Sequence, residues 1–586
     1  MKTESLGLTQ VAGEKLNAQQ TAYLDGFFAG LKNRGFAFAG VDGPTEATAA
    51  QGKVSQASLE DLTAEERIKR ELHPLDAYPL LLQHAAANQA PDKENTYRFK
   101  WHGLFYLSPA KDAFMARLRI PGGELKTFQL RELARIAQDL TTGYVQITTR
   151  ANLQVRHIQP KDAPELLRRI QLIGLHTRGA GADNVRNLTC DATSGLDPQE
   201  LIETLPLVHE MAQVILNTRE FYDLPRKFNI AFYGGGSIPT VEETNDIGWS
   251  AVRLDEAREG RPAGIYFRCA VGGATGHKAI ARDLGIVVQA ADLIRVTSAM
   301  LKVYVAHGNR TDRKRARLKH LLETWSLDQF LTATEELLGF PLLKEPLKPA
   351  IASTAPARSH PHVGVYPQKQ DGLSWVGISV PVGQISPKQL LRLADLADHY
   401  GSGEVRLTVW QNIILPNVPA AYLETVKKAL VKMGLGWQQS NLRTGFIACT
   451  GNSHCKFASS NTKRDALELM EALDREVVLD QPINVHLTGC PNSCAQHYIG
   501  DIGLLGTKVK VEGESKEGYH VFVGGGFGGQ PQIGRQLFSG VSVGMLKPLM
   551  TQIILGYLKH RLPSESFQAF ASRHDIGQLQ VLLAES

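Results

Sequence analysis

The chain contains one pattern twice. The order Ile120-Pro121-Gly122-Gly123, Gln129-Leu130, Leu133-Ala134, Ala137 returns as Val380-Pro381-Val382-Gly383, Gln389-Leu390, Leu393-Ala394, Ala397, with Pro381 standing 260 positions after Pro121. The offset persists through Gly143-Tyr144-Val145 against Gly403-Glu404-Val405, Thr148 against Thr408, Asn152 against Asn412, and Gly174-Leu175 against Gly434-Leu435. A repeat kept in register for this long restricts the fold to one supersecondary unit used twice. Each copy reads as an apolar strand ending at a Pro/Gly turn, then a helix with apolar residues at helical spacing. A near-alternating strand segment follows (Val145, Ile147; Val405, Leu407), and then a second amphipathic helix, Ala163 to Leu172 or Ala421 to Met433. The expected class is α+β with a pseudo-twofold duplication.

A chain of 586 residues exceeds one ordinary core. The expected division is a helical arm over 1–95, the duplicated halves over 96–178 and 357–437, a basic domain over 179–345, and a cysteine-bearing domain over 438–586. Five prolines between Pro341 and Pro361 mark the linker between the copies. The basic run Asn309 to Lys319 is expected to be helical. A net charge of +5 is too mild to indicate nucleic acid, and no apolar stretch approaches a membrane span. Met1 to Ser5 lacks an apolar signal core, so a cytoplasmic location is expected. A monomer is the expected assembly.

Four of the six cysteines lie between 449 and 494. They fall in Cys449-Thr450-Gly451-Asn452-Ser453-His454-Cys455 and in Gly489-Cys490-Pro491-Asn492-Ser493-Cys494. Thiolates in such loops, with proline after a cysteine, suit a [4Fe–4S] cluster. Zinc remains open, although structural zinc favours shorter loops than C-x5-C. Cys190 and Cys269 suit ordinary buried thiols.

These loops resemble the paired cluster motifs of the sirohaem-dependent nitrite and sulfite reductases, and the resemblance covers about residues 95–560. It implies a fold of three domains around the cofactors, with two ferredoxin-like halves forming one of them. It implies that Cys449, Cys455, Cys490 and Cys494 ligate the cluster, and that Cys494 is also the axial ligand of sirohaem iron. Sirohaem carries eight carboxylates and the substrate is an anion, so buried cations are needed. The first copy has Arg117, Arg119 and Arg150 where the second has Gly377, Ser379 and Trp410. By resemblance, Arg117, Arg186, Lys227 and Asn229 face the substrate, and Arg150, Gln154, Arg317, Gln411 and Asn492 contact the cofactor. The glycine runs Gly272-Gly273 and Gly524-Gly525-Gly526 would admit close backbone approach to it.

The expected reaction is the six-electron reduction of nitrite to ammonia in nitrogen assimilation. The chain lacks a dinucleotide fingerprint, which implies ferredoxin or a similar carrier as donor. The family's sulfite reductases carry Lys where Asn229 stands, and some place a Tyr–Cys pair near the haem at the positions of Phe105 and Gly181. Both features favour nitrite. Sulfite reduction on the same scaffold is the nearest alternative. An oxygen-using cobalamin-pathway enzyme and a non-catalytic iron–sulfur carrier are further ones.

Overall fold

The two repeat turns, Pro121–Gly123 and Pro381–Gly383, adopt the same backbone course, with Gly122 at φ 65° and Val382 at φ 46°. From each turn the chain makes a short strand, a helix, two further strands and a second helix. In the first copy these are Glu124–Lys126, Thr127–Asp139, Val145–Ile147, Leu153–Ile158 and Ala163–Leu172. In the second they are Gln384–Ile385, Pro387–Tyr400, Glu404–Leu407, Ile413–Pro419 and Leu423–Lys432. This computed structural model describes residues 60–106, 113–141, 143–257, 260–345 and 362–584, and a short backbone ladder of Gln10–Val11 with Glu14–Lys15.

The copies exchange their short strands. Leu125 of the first pairs with Val405 of the second, and Ile385 of the second pairs with Val145 of the first. Each pairing is the other's image at the repeat offset. Two five-stranded sheets result, each borrowing an edge from the other copy, and the helices Thr127–Asp139 and Pro387–Tyr400 pack together over them. Leu130, Leu133, Ala134 and Ala137 meet Leu390, Leu393, Ala394 and Ala397 in one core. The repeated apolar positions read from the sequence are thus the shared interior.

A six-stranded sheet forms a second core, from Thr189–Cys190 at one edge through Ile230–Tyr233, Ile247–Leu254, Gly264–Val271 and Arg282–Val288 to Leu343–Lys344. The helices Leu205–Asn217 and Ala290–His307 pack into this core. A further five-stranded sheet, Phe446–Ala448, Val485–Thr488, Ile502–Val511, Glu514–Val523 and Arg535–Ser542, forms a third core and is covered by Thr462–Glu476 and Val543–His560. Its first three strands run parallel, and the cysteine loops leave the carboxyl ends of the first two. Open α/β sheets favour ligands at that end.

Some expectations change. The structure divides at Gln56/Ala57, and residues 1–59 of the expected arm lie almost wholly outside the described residues. The helices Ala64–Glu71, Tyr78–Ala86 and Lys93–Arg98 belong to the main unit, where Lys69 Nζ donates to the Leu224 carbonyl at 2.9 Å. The basic run 309–319 is not one helix: a single 3₁₀ turn, Arg313–Arg315, precedes a helix beginning at Leu318. Its arginines pair with separate buried carboxylates, Arg310 with Glu66 and Arg313 with Asp183. Most of the linker, residues 346–361, lies outside the described residues. Among the described residues no helix is long and apolar enough to cross a membrane.

Candidate active site

A cleft of about 1280 Å³ brings together residues of both copies, the six-stranded sheet and the cysteine loops. Arg117, at the end of strand Phe114–Arg117, and Arg150, in the turn after Val145–Ile147, enter from the first copy. Arg150 Nη1 donates to Asn245 Oδ1 at 2.8 Å. Arg186 is held by the backbone, its Nη2 donating to Ala182 O at 2.7 Å and its own N–H to Phe228 O at 2.7 Å. Lys227 and Asn229 flank Phe228, which makes an isolated bridge to Val185 rather than lying within a strand. The alternation nevertheless holds locally: Phe228 points into the core beside Tyr304, while both neighbours line the cleft.

Arg317 closes the far side, with Nε and Nη2 donating to the two oxygens of buried Asp246 at 3.1 and 2.7 Å. Asp246 also accepts from the Asn229 backbone N–H at 2.8 Å, so one carboxylate fixes two wall residues. Gln411 lines the cleft in the left-handed region (φ 59°), and its amide is occupied by backbone. It donates to Ile147 O at 3.2 Å and Ala448 O at 3.1 Å, and accepts from Ala448 N at 3.1 Å. Gln411 therefore clips the first copy to the strand that delivers Cys449. Gln154 accepts from Arg156 at 2.7 Å, and Asn492 sits against Gly276.

Of the four clustered thiols, Cys449 and Cys494 line the cleft, whereas Cys455 and Cys490 do not. All four are unpaired with another cysteine, and Cys494 is the exposed one. Burial, and then the charge of Cys494, raises the Cys449 thiol, and the same causes push Cys490 up to about 12. Among the described residues no three His, Cys, Asp or Glu side chains close around a single ion.

The sequence reading omitted Lys463 and Arg156, and noted Arg226 in the basic run Leu224 to Asn229 without a role. Lys463 lines the cleft at the second position of helix Thr462–Glu476, donating to Val382 O and, at 3.4 Å, to Ala448 O. Burial lowers its amine to about 7. A lysine in the first turn of a helix opposes the helix dipole, and that was the available signal. Arg226 lines the cleft with buried Asp183 3.4 Å behind it. Arg156 stands behind Gln154 and donates to Thr450 Oγ1 at 2.8 Å. By contrast Arg119 is a structural residue, buried and donating to Val185 O at 2.7 Å. The glycine runs also miss the cleft. A Cβ on Gly273 would lie 2.5 Å from the carbonyls of Glu243 and Asn245, and one on Gly525 2.3 Å from Gly500 O, so both serve backbone packing.

The cleft wall holds Arg117, Arg150, Arg186, Arg226, Lys227, Arg317 and Lys463, and no Asp or Glu. Burial lowers Arg150 to about 10 and Lys227 to about 7. The Nε atoms of Arg117 and Arg186 and the Oδ1 of Asn229 are buried without partners. Among the described residues only Arg226 and Arg317 of these seven pair with a carboxylate, and cations gathered at this density favour an anionic occupant. A tetrapyrrole rich in carboxylates fits the wall, and a thiolate cluster fits the loops beside it.

Fold and site together define a redox enzyme that holds a polyanionic prosthetic group between duplicated halves. The family model described as "Nitrite and sulphite reductase 4Fe-4S domain" matches residues 181–342 and 440–563, and "Nitrite/Sulfite reductase ferredoxin-like half domain" matches 108–173 and 366–433. The chain belongs to the nitrite and sulphite reductase family, with sirohaem and a [4Fe–4S] cluster as its cofactors. It is 36% identical over 516 residues to the ferredoxin–nitrite reductase of Synechococcus elongatus, covering 85% of this chain and 97% of that one. It is 35% identical to the chloroplastic ferredoxin–nitrite reductase of Arabidopsis thaliana, covering 78% of each. The solved NirA protein of Mycobacterium tuberculosis superposes with a TM-score of 0.82 at 29% identity, covering 88% of this chain and 97% of that one.

Proposed function

We propose that this protein reduces nitrite to ammonia for nitrogen assimilation, taking six electrons singly from ferredoxin or a similar carrier. The observation that carries this reading is the meeting of Cys494, Arg117, Arg186, Lys227 and Asn229 in one cleft. Relatives named ferredoxin–nitrite reductase support it.

Cys449, Cys455, Cys490 and Cys494 would hold the cluster, and Cys494 would also ligate the sirohaem iron. Arg150, Arg317, Arg226 and Lys463 stand ready to meet the macrocycle's carboxylates, with Gln154, Gln411 and Asn492 completing the wall. When bound, the two cofactors supply single electrons and a metal centre at which the anion is reduced. The chain's own part is electrostatic and protonic. Arg117 and Arg186 have free Nε donors for anion oxygens. Backbone carbonyls hold Arg186, an aromatic face bounds Arg117, and neither is paired with a carboxylate among the described residues, so their charge is available where negative charge builds up. Lys227, held near neutrality by burial, can pass protons to the departing oxygens as water forms.

Asn229 supports nitrite over sulfite. Nitrite is a smaller monoanion that needs a hydrogen-bond donor, while the partly dianionic sulfite gains more from a second cation. We also place the enzyme in the cytoplasm, as a monomer, bound to neither membrane nor nucleic acid. Six cysteines without a disulfide suit a reducing compartment. The test is purification with pigment, iron and sulfide analysis, followed by steady-state assays on nitrite and sulfite with one reduced ferredoxin. Haem-like bands with nitrite as the better substrate are expected. A preference for sulfite would overturn the substrate, and absence of pigment would overturn the reading.

A further inference from the structure

Arg117 is a cleft arginine with little polar anchoring. Its guanidinium makes one long hydrogen bond, Nη1 to Ala180 O at 3.4 Å, and its Nε has no partner. What bounds it is an aromatic face: the guanidinium carbon lies 4.7 Å from the centre of the Phe105 ring. Phe105 lies in strand Leu104–Tyr106, which pairs with Phe114–Arg117, Phe105 opposite Met115. The ring is seated in turn by Gly181. A Cβ at 181 would stand 2.3 Å from Phe105 Cζ, 2.9 Å from Cε1 and 2.8 Å from Lys100 O. The φ of Gly181 is not positive, so glycine is required there by the ring it touches and not by its own backbone angles. The neighbouring carbonyls of Ala180 and Ala182 take hydrogen bonds from Arg186, at 3.2 and 2.7 Å. The turn at 180–182 therefore governs both arginines, Arg186 through its carbonyls and Arg117 through the ring that Gly181 admits.

We propose that Phe105, seated on Gly181, is a positioning residue that holds Arg117 in the orientation in which it binds the substrate anion. This rests on the reading of Arg117 as an anion ligand. A buried guanidinium over an aromatic face gains from the ring quadrupole, and loss of that face frees a long side chain that has no other firm anchor. The ring does not line the cleft, so its effect is expected to fall on binding more than on turnover.

The test is a double-mutant cycle on purified, pigment-replete enzyme: Phe105→Leu, Arg117→Met and the pair. Each variant is read by the KM and kcat for nitrite, and by direct titration of nitrite followed through the visible spectrum. Phe105→Leu is expected to raise both the KM and the spectroscopic dissociation constant about tenfold, with kcat changed less than about twofold. In the Arg117→Met background the same substitution is expected to add less than about twofold. Gly181→Ala, which displaces the ring without altering it, is expected to reproduce the KM effect and serves if Phe105→Leu does not accumulate. Independent, multiplying effects of the two substitutions would overturn the proposal, as would an unchanged KM in Phe105→Leu and in Gly181→Ala. If Arg117→Met itself leaves anion binding intact, the reading of Arg117 fails instead, and the two failures are separately visible.

Discussion

Asn229 is the residue on which the proposed preference for nitrite rests. Its side chain faces the cleft two positions from Lys227, and its backbone is pinned by Asp246, which also holds Arg317. Asn229→Lys is expected to shift the kcat/KM ratio toward sulfite by about 1–2 kcal/mol, the effect of one partly screened charge. Parallel assays of both anions with one donor check this; an unchanged ratio would show that selectivity lies elsewhere. Cys494→Ser carries the cofactor assignment, and the variant is expected to lose sirohaem as well as disturb the cluster. Iron, sulfide and pigment contents decide it, and full sirohaem with unchanged ligation would refute the shared thiolate. At this scale the sequence was legible where chemistry is dense. The cysteine loops, Arg117, Arg186, Lys227 and Asn229 lie in recognisable runs, and the structure gathers them. Lys463 and Arg156 were harder to read: the signal for Lys463 is only its place in the first turn of a helix, and Arg156 stands behind Gln154 with no motif around it. Whether a basic residue enters the cleft also depends on its partners, which sequence does not list: Arg119 is occupied by Val185 O, whereas Arg117 has almost nothing.

Elements were legible where the pattern repeats. The helices Thr127–Asp139 and Pro387–Tyr400 fall where the apolar spacing put them, since that face is buried by the same face of the other copy. The run 309–319 misled, because charge density was read as helix when its arginines answer separate carboxylates. A feature with no sequence signal is the 3₁₀ turn Glu242–Thr244, which carries adjacent glutamates. Buried Glu243 accepts from Gly528 N at 2.8 Å through one oxygen, and its other oxygen has no partner. Burial raises both carboxyls, and repulsion from Glu243 adds to the rise at Glu242. The unfolded chain releases such protons near pH 4 to 5, whereas the folded chain keeps them toward neutrality. Stability is therefore expected to fall as pH climbs through that window and to stay lower above it. Glu243→Gln keeps the acceptor for Gly528 and removes the charge. Its melting temperature relative to the native protein is expected to rise by a few degrees from pH 5 to pH 8, as thermal scans would show. An equal difference at both values would rule this out.

For the molecule as a whole, charge governs the encounter with the donor. The chain carries a net +5, and Lys456 and Phe457 lie exposed directly after Cys455. An acidic carrier is drawn to such a surface by forces that fade within a Debye length. The KM for ferredoxin is expected to rise several-fold between about 0.02 and 0.3 M salt, while turnover with a small uncharged reductant changes little. Salt-independent turnover with ferredoxin, or efficient direct use of NADPH, would contradict this. The duplicated plan was readable from one offset, but the exchange of edge strands was not, because nothing in Leu125 or Ile385 names its partner.

That exchange has a consequence for synthesis. When a ribosome has finished the first copy, Val145–Ile147 still lacks the neighbour that Gln384–Ile385 will provide, and Glu124–Lys126 has no strand to join. The nascent chain must carry an unsealed sheet margin while more than two hundred further residues emerge, and such margins invite misplaced pairing. The two copies can close each other only once the second has emerged, so neither is expected to persist as an independent module.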